Sequence, residues 1–163
     1  MILGLSLKTF TLFHVAISLI GIASGGVVVI RMMGSHRLGG TNLFFLITTI
    51  ATSLTGFLFP FNGISPAIIV GMISLGVLAV ALAARYIGYL DGPWRWIYVI
   101  SAMTALYFNV FVAVVQAFAK IGPLHQFAPT RSEPLFAVVQ GIVLLSFIVL
   151  GYQAVKRFHP GRG

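Results

Sequence analysis

The side chains of this sequence that are best suited to chemistry are uncharged hydrogen-bonding groups inside apolar segments. His14 is the most versatile, because an imidazole can donate or accept a hydrogen bond, carry a proton, or bind a metal or haem iron. Since polar groups are costly in hydrocarbon, buried ones mark either a binding site or a contact between helices. The candidate ligand-binding residues are His14, Ser18, Thr52, Thr55, Asn109, Gln116 and Gln140.

The composition indicates that these polar groups lie in a membrane protein. Of 163 residues, 59% are hydrophobic and only 7% are charged, against about a quarter charged in a typical soluble domain. The mean hydropathy is +1.06, and so few charges cannot cover the surface of a soluble globule. An integral membrane protein is therefore expected. The chain contains no cysteine, which excludes disulfides, thiolate nucleophiles and thiolate metal sites.

The positions of the charges divide the chain into apolar segments. All twelve charged residues lie at or outside the ends of five such segments, each long enough for the roughly 20 residues that cross a bilayer. Residues 59–66, with two prolines and an Asn-Gly pair, separate the second segment from the third. The sequence predicts an all-α integral membrane protein with one transmembrane domain, residues 1–163, and five transmembrane helices near 8–31, 42–60, 66–88, 94–119 and 133–156.

Lysine and arginine set the predicted orientation. One side carries Lys8, Lys120 and Arg131, and the other carries Arg31, Arg37, Arg85, Arg95, Lys156, Arg157 and Arg162. Because cytoplasmic loops are enriched in these residues, we expect the N-terminus outside and the C-terminus inside. The net charge of +8 is thus interpreted as a topology signal, and no nucleic-acid partner is expected. Six aromatic residues are expected in the inner headgroup layer: Tyr86, Tyr89, Trp94, Trp96, Tyr98 and Tyr152.

The candidate polar residues share a depth in this topology. His14, Ser18, Gly21 and Gly25 follow one face of the first helix, and the glycines would allow close approach of a neighbouring helix. All seven candidates fall between the midplane and the outer surface. We therefore predict a polar pocket around His14, Asn109 and Gln116, with apolar walls from the Phe-rich outer ends of the second and fourth helices.

Three functions are compatible with such a pocket. The first is a binding protein for a small amphipathic molecule such as a quinone or a lipid. The second is a structural or accessory membrane subunit, homo-oligomeric or part of a larger complex, whose polar residues only join helices. The third is a redox protein with haem b or a metal on His14. No carboxylate lies within a membrane segment and no catalytic set converges, so the sequence favours a protein that is not an enzyme and not a carboxylate-relay pump.

Several segments together resemble a family of small hydrophobic inner-membrane proteins of proteobacteria whose function is unknown. The similar segments are HVAISLIGIASGG at 14–26, TSLTGFLFPF at 52–61, AARY at 83–86, LYFNVFVAVVQAF at 106–118 and APTRSEP at 128–134. The resemblance covers nearly the whole chain and implies a multi-pass protein of the bacterial inner membrane. In that family a histidine often follows the proline that opens the third helix. This chain has Ala67 there, which weakens a two-histidine haem or metal site.

Overall fold

The computed structural model describes residues 2, 4–60, 63 and 66–159, and its secondary structure is helical apart from one isolated bridge between Ile2 and Leu5. The described residues form six α-helices: α1 Leu7–Met33, α2 Gly40–Gly56, α3 Pro66–Tyr86, α4 Pro93–Lys120, α5 Gly122–Phe127 and α6 Pro134–Arg157. Four of them, α1, α3, α4 and α6, are long and apolar enough to cross a membrane. The predicted all-α fold of long apolar helices is therefore confirmed.

Local sequence explains where these helices begin. The Ser6 hydroxyl accepts a hydrogen bond from the Thr9 backbone N–H at 3.1 Å, which caps the start of α1. A proline occupies the first position of α3, α4 and α6, where its missing N–H costs no hydrogen bond and its fixed φ suits the helix. These start signals are visible in the sequence, and the predicted starts of these three helices lie within one residue of the observed ones.

The prediction of five helices is wrong in number. The connection after α4, expected to be a loop, contains the short helix α5, which begins at Gly122-Pro123 and is closed by a 2.8 Å bond from the His125 N–H to the Ile121 carbonyl. The second helix was expected to reach residue 60 but ends at Gly56. Glycine favours a helix end, and Pro60 disfavours helical geometry at the residue before it.

The predicted break at 59–66 lies partly outside the described residues, which do not include 61, 62, 64 and 65. The described part agrees with a break. The N–H groups of Phe57 and Leu58 bond three residues back, at 3.2 Å each, as the chain leaves α2, a tightening common at helix ends.

Helix α4 is the centre of the bundle and packs against α1, α2, α3, α5 and α6. The first two helices are antiparallel, because Gly25 lies against Phe45, Gly21 against Thr48, and His14 against Thr55. The apolar core lies mainly in one half of the bundle and includes Met32, Leu46, Leu78, Val99 and Phe158.

This half of the bundle ends at what we call the basic end, which holds Arg31, Arg37, Arg85, Arg95, Lys156 and Arg157. Hydrogen bonds join the helices here. Arg95 Nη1 donates to the carbonyls of Val155 and Phe158 at 2.8 and 2.6 Å, which ties the start of α4 to the end of α6. Arg85 donates to the Leu38 carbonyl, and the His159 N–H donates to the Ser35 hydroxyl at 2.8 Å. The opposite end holds Lys8, Lys120 and Arg131, while Arg162 lies outside the described residues.

Candidate functional site

His14 faces the neighbouring helix α2. Its Nδ1 lies 2.8 Å from Thr55 Oγ1, and its ring packs edge-on against Phe59, with centroids 5.2 Å apart. The Thr55 hydroxyl also lies 2.7 Å from the Ala51 carbonyl. One hydroxyl has one proton to donate, so when Thr55 donates to Ala51, His14 must donate from Nδ1. In that tautomer His14 Nε2 is the acceptor left for another group.

Two further candidates on these helices hydrogen bond to their own helix. The Ser18 hydroxyl donates to the His14 carbonyl at 2.8 Å, and the Thr52 hydroxyl donates to the Thr48 carbonyl at 2.9 Å. Such bonds to the residue four positions earlier satisfy a hydroxyl without any external partner. Ser18 and Thr52 therefore lie close to the His14–Thr55 pair in sequence, but their donors are already used.

Asn109 lies farther along the bundle, against Gly21 of α1. A Cβ added to Gly21 would lie 3.4 Å from Asn109 Nδ2 and 3.6 Å from Thr49 Oγ1. Both of these buried atoms are without a hydrogen-bond partner among the described residues. Gly21 is seven residues from His14, which is about 10 Å along a helix. Asn109 thus belongs to a second polar cluster, with Thr48 and Thr49, two turns from His14.

The two glutamines are not joined to His14 or Asn109 by any hydrogen bond among the described residues. Gln140 Nε2 donates to the Phe111 carbonyl at 3.2 Å and joins α6 to α4, while its Oε1 is buried without a partner in the described structure. Gln116 is exposed on the bundle surface. The described contacts therefore do not join all seven candidate residues, and a single outer-half pocket that contains them stays a prediction.

The other histidines also lie apart. His125 Nδ1 lies 3.3 Å from the Phe118 carbonyl, which places α5 against the end of α4. His36 and His159 are at the basic end. Within the described ranges, no three histidine or acidic side chains come together in an arrangement that could hold a metal ion.

A groove of about 430 Å³ lies between α4 and α6, within the roughly 300–1,000 Å³ of small-molecule sites. Its lining is mainly apolar and includes Met103, Phe147 and Ile148, and Gly151 also lines it on α6. Because Gly151 has no side chain, the nearest atom to an added Cβ is Met103 Cγ at 4.0 Å. The groove runs from the middle of both helices toward the basic end.

Three polar side chains line this groove. Tyr107 lies at the end of the groove that is farther from the basic end. Its ring packs edge-on against Phe147, with centroids 5.6 Å apart. The Tyr107 hydroxyl makes no hydrogen bond with the residues that the structure describes. Thr104 is satisfied by the Ile100 carbonyl at 2.8 Å. Tyr152 lies toward the basic end, with Lys156 Nζ 4.5 Å from its ring centroid.

A second, smaller groove of about 210 Å³ lies between α3 and α4. It is lined by Val77 and Val80 on one side and by Trp96 and Ile97 on the other. Ile100 and Thr104 line both grooves. The two grooves therefore lie side by side on either flank of the same ridge of α4, in the half of the bundle that ends at the basic end.

Sequence reasoning missed these grooves and also a buried polar pair at the basic end. Tyr98 lies near the basic end, and its side chain is fully buried between helices, where its hydroxyl donates to Asn42 Oδ1. Asn42 was not among the candidates. One signal was available, because Asn42 and Tyr98 both lie in the first two turns of helices that begin at the same end of the bundle.

Comparisons with known proteins give no relative: no protein-family model, no curated protein and no solved structure matches this chain.

Proposed function

We propose that this chain is a multi-pass protein of the bacterial inner membrane that holds a quinone- or lipid-like amphipathic molecule in the groove between α4 and α6. The observation that carries the proposal is the groove itself. It is an open groove with a volume in the range of ligand sites, apolar walls, and Tyr107 and Tyr152 toward its two ends. An open apolar groove of this kind suits a long-chain molecule that lies partly in the bilayer.

The proposed orientation has the basic end in the cytoplasm, as the lysine and arginine distribution predicts. Five crossings require α2 to span the bilayer. Its 17 residues are about 25 Å long, slightly less than the hydrocarbon thickness of about 30 Å. The turn after α2 adds length, because Phe59 reaches the level of Phe10 near the start of α1, with ring centroids 5.1 Å apart.

Cysteine labelling tests this orientation, since the chain has no native thiol. In intact cells whose inner membrane is accessible from outside, we expect a membrane-impermeant maleimide to label Ser132→Cys, in the connection before α6. We expect it to label Gly39→Cys, in the connection before α2, only after the membrane is opened. The reverse pattern would contradict the proposed orientation, and labelling of both residues from one side would contradict the crossing by α2.

We favour the groove over the polar contact between α1 and α2, because the hydroxyl groups at that contact are already hydrogen bonded within the protein. At that contact the Thr55 hydroxyl bonds to His14 and to its own helix, and Ser18 and Thr52 bond to their own helix. In the groove, by contrast, the Tyr107 hydroxyl has no hydrogen-bond partner among the described residues, and Gly151 carries no side chain. A hydroxyl at this depth is stabilised by a bound acceptor, because hydrocarbon offers none.

Filling the groove tests the proposal. Gly151→Leu would place an apolar side chain in the groove without a clash at Cβ, and we expect it to reduce the co-purified amphipathic molecule at least tenfold. The matched control is Gly141→Leu on the same helix, where an added Cβ meets nothing within 4 Å. The molecule is measured by organic extraction and mass spectrometry. Equal amounts in both variants would contradict the groove as the site.

A structural or accessory role is the second candidate, and one observation favours it. The hydroxyls of Ser18, Ser24, Thr48, Thr52, Ser101 and Thr104 all donate to their own helix, so each is satisfied without a ligand. This role predicts that no defined molecule co-purifies with the protein and that Gly151→Leu changes nothing. The outer-half pocket predicts instead that His14→Ala lowers the amount of co-purified molecule.

A further inference from the structure

We infer that the occupant of the α4–α6 groove is an anionic phospholipid with two chains, and that its second chain lies in the groove between α3 and α4. This inference rests on the function proposed above and specifies the class of ligand. It follows from the relation between the two grooves and from the charges at the end toward which both of them run.

The geometry suits two linked chains. Ile100 and Thr104 line both grooves, so α4 forms a narrow ridge between them. A molecule with one chain on each side of this ridge must join its chains near the start of α4, at the basic end. A glycerol backbone with two acyl chains has this shape, whereas a quinone with a single tail would fill only one of the grooves.

The charges at the basic end suit an anionic headgroup. Arg95 contacts the carbonyl of Val155, which lines the larger groove, through Nη1. Its remaining guanidinium N–H groups make no hydrogen bond with the residues described here. Lys156 lies over the Tyr152 ring at the edge of the same groove. Asp91 is the one acidic residue at this end, since Glu133 lies at the opposite end.

The surrounding residues suit a headgroup in the layer between hydrocarbon and water. Trp96 lines the smaller groove, and tryptophan favours the layer between hydrocarbon and water. In the proposed orientation this layer belongs to the cytoplasmic leaflet, whose anionic lipids attract nearby lysine and arginine. The phosphate would therefore lie near Arg95 and Lys156, and the two chains would extend along α4 toward the midplane.

Native mass spectrometry of the delipidated protein tests the headgroup. The probes are phosphatidylglycerol and phosphatidylcholine with identical chains. We expect tighter binding of phosphatidylglycerol, and Lys156→Gln should weaken that binding about fivefold, since one basic residue near an anionic lipid contributes on the order of 1 kcal/mol. Lys156→Gln should weaken binding of phosphatidylcholine less than twofold, because the choline ammonium offsets the charge of its phosphate. Lys120→Gln, at the opposite end, is the charge-matched control and should change neither.

A second variant tests the position of the second chain. Val80 lines the smaller groove and is 46% exposed, and Val27 on α1 is 43% exposed on a different surface. We expect Val80→Trp to weaken binding of two-chain phosphatidylglycerol but not of its single-chain lyso form. Val27→Trp should weaken neither. Equal effects of Val80→Trp on both lipids, or no effect on either, would overturn the two-chain arrangement.

The outcomes separate this inference from the proposed function. If both lipids bind equally and Gly151→Leu weakens both, the anionic headgroup is wrong and the groove still binds a lipid-like molecule. If Tyr107→Phe weakens ligand retention and Lys156→Gln does not, the ligand places its polar group deep in the groove, as a quinone would. If Gly151→Leu weakens neither lipid, the inference and the proposed function both fail.

Discussion

Replacing Gly25 by leucine is expected to lower the free energy of unfolding by about 3 kcal/mol, because the substitution overpacks a tight helix contact. A Cβ on Gly25 would lie 2.5 Å from Leu106 Cδ1 and 2.9 Å from Phe45 Cε2. Both neighbours are themselves buried, with exposed fractions of 4% and 1%. The added side chain therefore forces α1 away from α2 and α4.

Gly26→Leu is the matched control for this substitution. It adds the same side chain one residue along the same helix, where an added Cβ meets nothing within 4 Å. Thermal or denaturant unfolding in detergent, followed by circular dichroism, measures both variants. Equal stability of Gly25→Leu and Gly26→Leu would contradict the close packing of α1 against α2 and α4.

The second large effect is expected at the buried pair of Tyr98 and Asn42. Tyr98→Phe removes the hydroxyl that donates to Asn42 Oδ1, and Asn42 Nδ2 already has no partner among the described residues. Leaving a buried amide without partners costs about 1–3 kcal/mol, so we expect a loss near the middle of that range. Unfolding of the variant in detergent measures the loss.

A double variant separates the hydrogen bond from the rest of the packing. Asn42→Leu combined with Tyr98→Phe removes both polar groups, and we expect it to be more stable than Tyr98→Phe alone. Tyr152→Phe is the control, because the Tyr152 side chain is 61% exposed and its hydroxyl can find water. A double variant less stable than Tyr98→Phe, or a loss at Tyr152→Phe as large as that at Tyr98→Phe, would contradict this interpretation.

The positions of the long helices could be predicted from the sequence because charge is excluded from hydrocarbon. Arg31, Arg85 and Lys120 each lie in the last turns of a helix, and Pro66, Pro93 and Pro134 begin one. The extra helix α5 could not be predicted in the same way. Six residues give no periodic pattern, and α5 contacts the end of α4 through His125, whose Nδ1 lies 3.3 Å from the Phe118 carbonyl.

The candidate site was harder to predict because apolar periodicity does not show which face a neighbouring helix covers. Every face of α6 is apolar, and Ala154 is its one buried residue. Its groove with α4 arises from the spacing between the helices and from the missing side chain at Gly151. A glycine in an apolar helix does not show whether a neighbouring helix closes against it or leaves a groove. A row of hydroxyl residues along one helix face does not identify a binding site either. A hydroxyl such as that of Thr52 can donate its hydrogen bond to a carbonyl of its own helix.

The most direct measurement of groove occupancy is photo-crosslinking with a phospholipid that carries a diazirine on one chain. In purified protein the crosslinks should fall in the two grooves: on the α4 segment 96–107, on the α6 segment 144–155, and near Val77 and Val80 of α3. Gly151→Leu should remove most of the crosslinks on α6. Crosslinks of equal yield on the outward face of α1, together with α6 crosslinks unchanged by Gly151→Leu, would show that lipid contacts the bundle without selection and that the groove holds no bound molecule.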